Sequence, residues 1–195
     1  MRDPVTWFFV SILSCAIIAE MGVGGWLVVF LERVYRWSPV DSSAVLSTFF
    51  LCYMLARLLL GPLTDKIGLI KSVIVFALFS GACSCIAVLA GRPGTVFFIL
   101  SGIGLAPIYP TVMAVIAKHY KRNSDMAITF IVTFLGIISM AGSFTTRAIS
   151  RLFNGFYSAY YGNEAGIIKG LQASYLFISG CTFCCSLACY LFYRL

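Results

Sequence analysis

Apolar residues fill the chain in six long runs that are separated by short polar segments. The runs cover about Thr6–Leu31, Ala44–Leu63, Ser72–Leu89, Thr95–Ala117, Ala127–Phe144 and Leu171–Phe192. A helix needs about 20 apolar residues to cross the hydrocarbon of a bilayer, and every run is close to that length. Hydrophobic periodicity adds nothing here, because a membrane helix is apolar on nearly every face. The pattern predicts an all-α, polytopic membrane protein whose six transmembrane helices form one bundle over residues 1–195.

The polar segments between the runs predict the connections. They are Glu32–Ser43, Thr64–Lys71, a very short Ala90–Gly94, Lys118–Met126 and a longer Thr145–Gly170. The first run is too long to be a cleaved signal peptide. Composition agrees with the membrane prediction, since 61% of the residues are hydrophobic and 11% are charged, whereas soluble domains carry about 25% charge.

The charge distribution predicts an orientation. The net charge of +7 is spread over the connections rather than gathered in a stripe, so we expect a lipid bilayer and not nucleic acid as the partner. An even number of spans puts both termini on one side, which carries seven basic residues against six on the other. Lys118, Lys121 and Arg122 crowd one short connection. The positive-inside rule then predicts cytoplasmic termini in a plasma membrane, or an inner membrane in a bacterium.

The residues that support metal binding or catalysis are scattered. All eight cysteines fall inside apolar runs, where small polarisable core residues are common, and the single histidine, His119, lies in a connection. Cys181 and Cys184 form a CxxC, but no second pair completes a metal site. The seven acidic residues form no cluster. We expect no metal, no cofactor and no enzymatic activity.

The first run contains a carboxylate, Glu20, and the nearby glycines Gly24 and Gly25. A charge in mid-membrane is unfavourable by at least about 2.5–3.5 kcal/mol and points to function. Glu20 either lines a solute pathway or makes a structural hydrogen bond to a neighbouring helix. Gly24 and Gly25 are candidate positions for a break in this helix. Trp26 lies about 120° around a regular helix from Glu20, so the two can share a cavity only if the glycines distort the helix. Otherwise Trp26 is an interfacial belt residue.

The fourth run contains two prolines that interrupt a helix. Pro107 cannot donate to the carbonyl of Ile103, and Pro110 cannot donate to that of Ala106. Freed carbonyls at the midplane are tolerated where they face protein or a watery cavity, and broken helices are typical of transporter binding sites. Tyr109, between the prolines, is a candidate solute contact; the alternative is a simple kink with Tyr109 packed on a neighbour.

Two other polar positions lie within the apolar runs. Arg57, near the end of the second run, can reach the membrane surface or pair with a carboxylate in a gate, and a structural or gating role is favoured over contact with a ligand. In the fifth run Thr129, Thr133 and Gly136 share one helical face, which suits either tight packing or the lining of a cavity. Thr133 is therefore a candidate pathway residue.

The connection after the second run reads GPLTDKIG. Gly61 permits close backbone approach, Asp65 is an anion that a helix N-terminus or a cation could hold, and Gly68 permits a reversal. An ordinary turn would also explain the segment. The pattern Gly61-x-x-x-Asp65-Lys66-x-Gly68 resembles the loop motif of the major facilitator superfamily, which joins helices two and three of a six-helix half.

Other stretches strengthen this resemblance. The segment EMGVGGWL, residues 20–27, resembles helix seven of the fucose-permease-like branch of sugar symporters, and GIGLAPIYPT, residues 102–111, is similar to its helix ten. The loop motif lacks its usual basic pair, which is more typical of the C-terminal half. The resemblance implies one half of a secondary transporter that moves a sugar or a similar small polar solute by alternating access, driven by protons, with its coupling carboxylates mainly in the absent half. A second six-helix bundle, either an N-terminal half or another copy, is then an expected partner; a truncated or degenerate half with a structural or regulatory role is the alternative.

Overall fold

The computed structural model describes residues 4–120 and 124–194. Within these residues the chain is helical throughout, with no strand. The helices are α1 Pro4–Val34, α2 Pro39–Leu59, the short α3 Gly61–Ile67, α4 Leu69–Ala90, α5 Thr95–Leu105, α6 Ile108–His119, α7 Ser124–Tyr161 and α8 Asn163–Arg194. A single 3-10 turn, Arg92–Gly94, precedes α5. Six segments are long and apolar enough to cross a membrane, with α5 and α6 together forming the fourth. The predicted all-α fold with six spans is confirmed.

The bundle is organised around α1 and α8. Helix α8 packs against α1, α4 and α7, while α5 packs between α2 and α4. Phe30, Phe98 and Tyr175 are fully buried where α1, α5 and α8 meet, with ring centroids 4.6–5.4 Å apart. The Tyr175 hydroxyl donates to the carbonyl of Val23 at 3.2 Å, so this buried polar group is satisfied. The aromatic cluster fixes the relative positions of three spans.

The predicted connection Thr145–Gly170 is wrong. Helix α7 continues to Tyr161 and α8 begins at Asn163, so the segment is an antiparallel helical hairpin with a turn at Gly162, φ 90°. Small residues repeat every four positions along α8, at Gly166, Gly170 and Ser174. A Cβ on Gly166 or Gly170 would meet the backbone of α7. This spacing lets two helix backbones approach closely, which explains why a fairly polar segment remains helical.

Hydrogen bonds at one end of the bundle hold the connection between α1 and α2. The Tyr35 hydroxyl donates to the carbonyl of Ala87, and Arg92 donates from Nε to the carbonyl of Tyr35 at 2.7 Å. Burial raises the pKa of Tyr35 to about 12, so the phenol stays protonated as a donor at neutral pH. Arg36 forms an exposed ion pair with Glu164 at the start of α8. The loop motif lies at the opposite end of the bundle.

Candidate functional site

The fourth span is interrupted near its middle. Helix α5 ends at Leu105 and α6 begins at Ile108, with Ala106 and Pro107 between them. Because Pro110 has no N–H, the carbonyl of Ala106 has no helical donor. The structure therefore places the interruption at the segment where the prolines predict it.

The guanidinium of Arg57 occupies the interruption. Its Nε donates to the Ala106 carbonyl at 3.3 Å, and its Nη2 donates to the Tyr53 hydroxyl at 2.9 Å. The guanidinium carbon also lies 5.0 Å from the Tyr53 ring centroid and 5.8 Å from that of Tyr109, within the range of cation–π attraction. Arg57 thus stabilises the broken helix from α2. Arg57 is exposed in the last turn of α2 and forms no ion pair with a carboxylate of the described residues.

Glu20 joins the same group from α1. Its carboxylate lies near the Tyr53 hydroxyl, close enough to interact with it electrostatically. Tyr53 is 7% exposed, and its hydroxyl, which accepts from Arg57, lies between Arg57 and the neighbouring Glu20. No ion pair joins Glu20 directly to Arg57 in the described part of the chain. We name Glu20, Tyr53, Arg57 and Tyr109 the polar cluster; it links α1 and α2 to the break between α5 and α6.

The other candidate residues of the first span, Gly24, Gly25 and Trp26, lie in different surroundings. Helix α1 is continuous through Gly24 and Gly25, so the predicted helix break at these two glycines is wrong. A Cβ on Gly24 would lie 3.0 Å from the Phe50 ring, whereas Gly25 faces open space; Gly24 therefore serves close packing on α2. Without a distortion, Trp26 stays on another face from Glu20. It is half-buried and packs against the core.

Thr133 lies apart from the polar cluster. Its side chain is exposed on α7, and its hydroxyl donates to the carbonyl of Thr129 in the same helix at 2.8 Å. Gly136 is also exposed, and a Cβ there would meet nothing within 4 Å. This face of α7 is not packed against another helix of the bundle.

The loop motif forms the short helix α3. The Thr64 hydroxyl donates to the carbonyl of Gly61 at 2.7 Å, and Gly68 has φ 98°, which favours glycine. A Cβ on Gly61 would meet nothing within 4 Å, so the expected close backbone approach at that glycine is wrong. Asp65 and Lys66 are exposed, and the described residues place no ion-pair partner within 4.0 Å of either.

Tyr53 is the member of the cluster that the sequence reasoning missed. It lies four residues before Arg57, and side chains at this spacing meet on one face of a helix. The four-residue spacing of Tyr53 and Arg57 could therefore have indicated their contact from the sequence. The carbonyl of Ala106 was predicted to lose its helical donor, but nothing in the sequence indicates which side chain replaces that donor.

The fold and this cluster define a class of protein. Six apolar spans, one of them broken at its middle beside charged side chains, are the features of a polytopic membrane transporter. The family model of the Major Facilitator Superfamily matches residues 8–194. The chain therefore belongs to that family of membrane transporters. No curated protein and no solved structure matches the chain.

Proposed function

We propose that the chain is one six-helix half of a secondary transporter that moves a small polar solute by alternating access, with the polar cluster on the solute pathway. The free donors of Arg57 are the observation that carries this proposal. A guanidinium has five N–H groups, and in the described residues two of them donate to protein acceptors. Three donors are left beside the helix interruption. Arg57 is exposed in the last turn of α2, so these donors are open to acceptors from a ligand or from water.

The chemistry of Arg57 favours a solute that carries an oxyanion. No carboxylate of the described residues pairs with Arg57, so its charge is not neutralised by direct contact. The planar fork of a guanidinium matches the two oxygens of a carboxylate or a phosphate. We therefore propose a small organic anion as the solute.

A neutral sugar is the second candidate. The resemblance of residues 20–27 and 102–111 to the fucose-permease-like branch supports it, and the rings of Tyr53 and Tyr109 could stack on a sugar face. In this version the transporter is a symporter driven by protons. Glu20 is proposed to contact the solute or to act in gating, and proton coupling is not assigned to it.

A second six-helix bundle is the proposed partner. Alternating access in this family rocks two bundles about a central site, and this chain supplies one. In α2 and in α7, 22% of the residues in the apolar 18-residue stretch of the span are buried inside the bundle. The corresponding share is 39–56% in the other four spans. These two helices therefore present the surface on which an N-terminal half or a second copy would pack. We also propose that the chain lies in the plasma membrane with both termini in the cytoplasm. The alternative function is that of a structural or regulatory half without transport activity.

Solute binding by the purified chain in detergent tests the proposed site. Small carboxylates, phosphorylated sugars and neutral sugars would be titrated while heat flow or the unfolding temperature is measured. We expect the Arg57→Gln variant to bind an anionic solute about 10- to 100-fold more weakly, because a charge-assisted hydrogen bond contributes about 1.5–3 kcal/mol. Arg33→Gln removes an equal charge from the exposed end of α1 and serves as the matched control.

The possible results separate the candidate functions. Equal binding by wild type and Arg57→Gln would remove Arg57 from the pathway, and wild-type behaviour of Glu20→Gln would remove Glu20. Binding of neutral sugars alone would favour the second candidate. Uptake of the bound solute by proteoliposomes would distinguish a transporter from a structural half.

A further inference from the structure

Two cavities follow one another along the contact between α4 and α8. The first, of about 360 Å³, lies where α4 begins and where α6 and α8 end, and its lining includes Lys71, Lys118 and Tyr193. The second, of about 430 Å³, is lined mainly by apolar residues of both helices, among them Ile74 and Leu78 of α4 and Leu187 and Tyr190 of α8. Lys71 and Ile74 are about one helical turn apart, and so are Tyr193 and Tyr190. The two cavities are therefore neighbours on both helices, and we name them together the α4–α8 groove.

Contacts between the two helices fix their register along the groove. The Nζ of Lys71 lies 5.5 Å from the centroid of the Tyr193 ring, and the Ser186 hydroxyl donates to the carbonyl of Ile74 at 3.3 Å. Residue numbers rise along α4 as they fall along α8, so the two helices are antiparallel. The end of α8 therefore lies beside the start of α4.

The length of α4 gives the depth of the groove in a membrane. Helix α4 has 22 residues, which span about 33 Å at the rise of an α-helix, and the hydrocarbon of a bilayer is about 30 Å thick. A span of this length has its first turn at one membrane surface and its last turn at the other. Lys71 is in the first turn of α4 and so lies at the level of the lipid headgroups, whereas Leu78 is near the middle of the helix, at the level of the acyl chains.

The groove is basic at the membrane surface and apolar below it. Lys71 and Lys118 are both exposed, and no carboxylate of residues 4–120 and 124–194 lies within 4.0 Å of either ammonium group. Below them, Leu78 is 46% exposed and Leu187 is 59% exposed, so the bundle leaves the apolar part of the groove uncovered. Helices α4 and α8 are not the helices that we propose to meet a second bundle, so lipid has access to this face.

We propose that the α4–α8 groove binds one anionic phospholipid, with its headgroup phosphate at Lys71 and Lys118 and an acyl chain along Leu78 and Leu187. Charge complementarity supports this occupant, because two ammonium groups without a carboxylate partner can each donate to phosphate oxygens. A phospholipid joins such a phosphate to apolar chains that lie in the hydrocarbon below it, whereas a soluble phosphate would leave the apolar part uncovered. The lipid belongs to the leaflet on the side of the Gly61–Gly68 loop, and the site does not depend on the identity of the transported solute.

Native mass spectrometry of the detergent-purified chain tests the proposal. The chain would be titrated with phosphatidylglycerol and with phosphatidylcholine of the same acyl chains. We expect one retained phosphatidylglycerol, bound about 30-fold more weakly by the Lys71→Gln/Lys118→Gln variant, because each basic residue near a membrane surface adds about a factor of five. The control variant Arg33→Gln/Lys169→Gln loses two exposed charges at the other end of the bundle and should bind like wild type.

Three results would overturn the proposal. Unchanged phosphatidylglycerol binding by the Lys71→Gln/Lys118→Gln variant would exclude these lysines. Equal retention of phosphatidylcholine would show that the charge of the headgroup does not select the lipid. Displacement of the lipid by glycerophosphoglycerol, the same headgroup without acyl chains, at equal concentration would indicate a site for a soluble anion. Circular dichroism checks that the variant is folded, and the two single variants, each expected to bind about five-fold more weakly, replace the double variant if it is not.

Discussion

The carbonyl of Ala106 shows how one side chain can replace a helical hydrogen bond. Pro110 removes the donor that a regular helix would supply, and Arg57 supplies another from α2 at 3.3 Å. An unsatisfied carbonyl inside a membrane is unfavourable by several kcal/mol, so this contact contributes to stability as well as to the site. Three other N–H groups of the same guanidinium make no hydrogen bond to the described residues.

A double-mutant cycle at Arg57 and Pro110 tests this replacement. We expect Arg57→Leu to lower the free energy of unfolding by about 1–3 kcal/mol, because it leaves a buried carbonyl without a donor. Pro110→Ala restores an N–H at the position that can donate to Ala106, so the loss should be smaller in the double variant. Denaturant unfolding in detergent measures both, and strictly additive effects would contradict the proposed contact.

The helices themselves were largely predictable, and their ends were not. Length and apolarity indicated six spans because the hydrocarbon thickness sets a minimum length for a helix. The same reasoning ended the fifth span at Phe144, since Arg147 and Asn154 are unfavourable in lipid. Packing against α8 extended the helix to Tyr161. The hydropathy of a segment does not show how it packs against another helix. The spacing of Gly166, Gly170 and Ser174 does indicate the packing of α8 on α7.

Three of the four residues of the polar cluster were predictable from the sequence, but Tyr53 and the geometry of the cluster were not. Glu20, Arg57, Tyr109 and the prolines were each identified from the high cost of polar or broken backbone in a membrane. Which of them meet depends on how α1, α2 and the fourth span cross, and one sequence does not determine those crossings. Thr133 and Trp26 were chosen on the same grounds and lie elsewhere.

The hairpin of α7 and α8 depends on glycine at the contact between the two helices. A Cβ on Gly170 would meet the carbonyl oxygen of Ser150, whereas a Cβ on Gly180 of the same helix would meet nothing within 4 Å. We expect Gly170→Ala to destabilise the chain by about 1–3 kcal/mol through overpacking. Gly180→Ala should be neutral or stabilising by up to about 1 kcal/mol, because alanine favours helix.

Thermal unfolding of the two alanine variants in one detergent provides the measurement. The comparison removes the effect of helix propensity, since both substitutions lie inside α8. Similar unfolding temperatures for Gly170→Ala and Gly180→Ala would contradict the close packing of α7 on α8.

At the scale of the whole molecule, the least buried spans, α2 and α7, are where contact with a second bundle can be tested. Met54 on α2 is 54% exposed and Ile137 on α7 is 61% exposed, while Leu78 on α4 is 46% exposed. In a bilayer, exposed apolar residues face lipid or another bundle, and burial alone does not separate the two. The polar cluster connects α1, α2 and the fourth span, so a second bundle that encloses a solute must cover α2 and not α4.

Photo-crosslinking distinguishes residues that face lipid from residues that face a second bundle. A photoreactive residue at Met54 or at Ile137 should crosslink the chain to a second bundle, which is another copy when this chain is expressed alone. The same group at Leu78 should react with lipid and give no protein product, which makes it the matched control. Native mass measurement should show a species of about twice 21.4 kDa. Monomers alone, or equal crosslinking from all three positions, would exclude a dimer built on α2 and α7 and would leave the chain inactive without an N-terminal half.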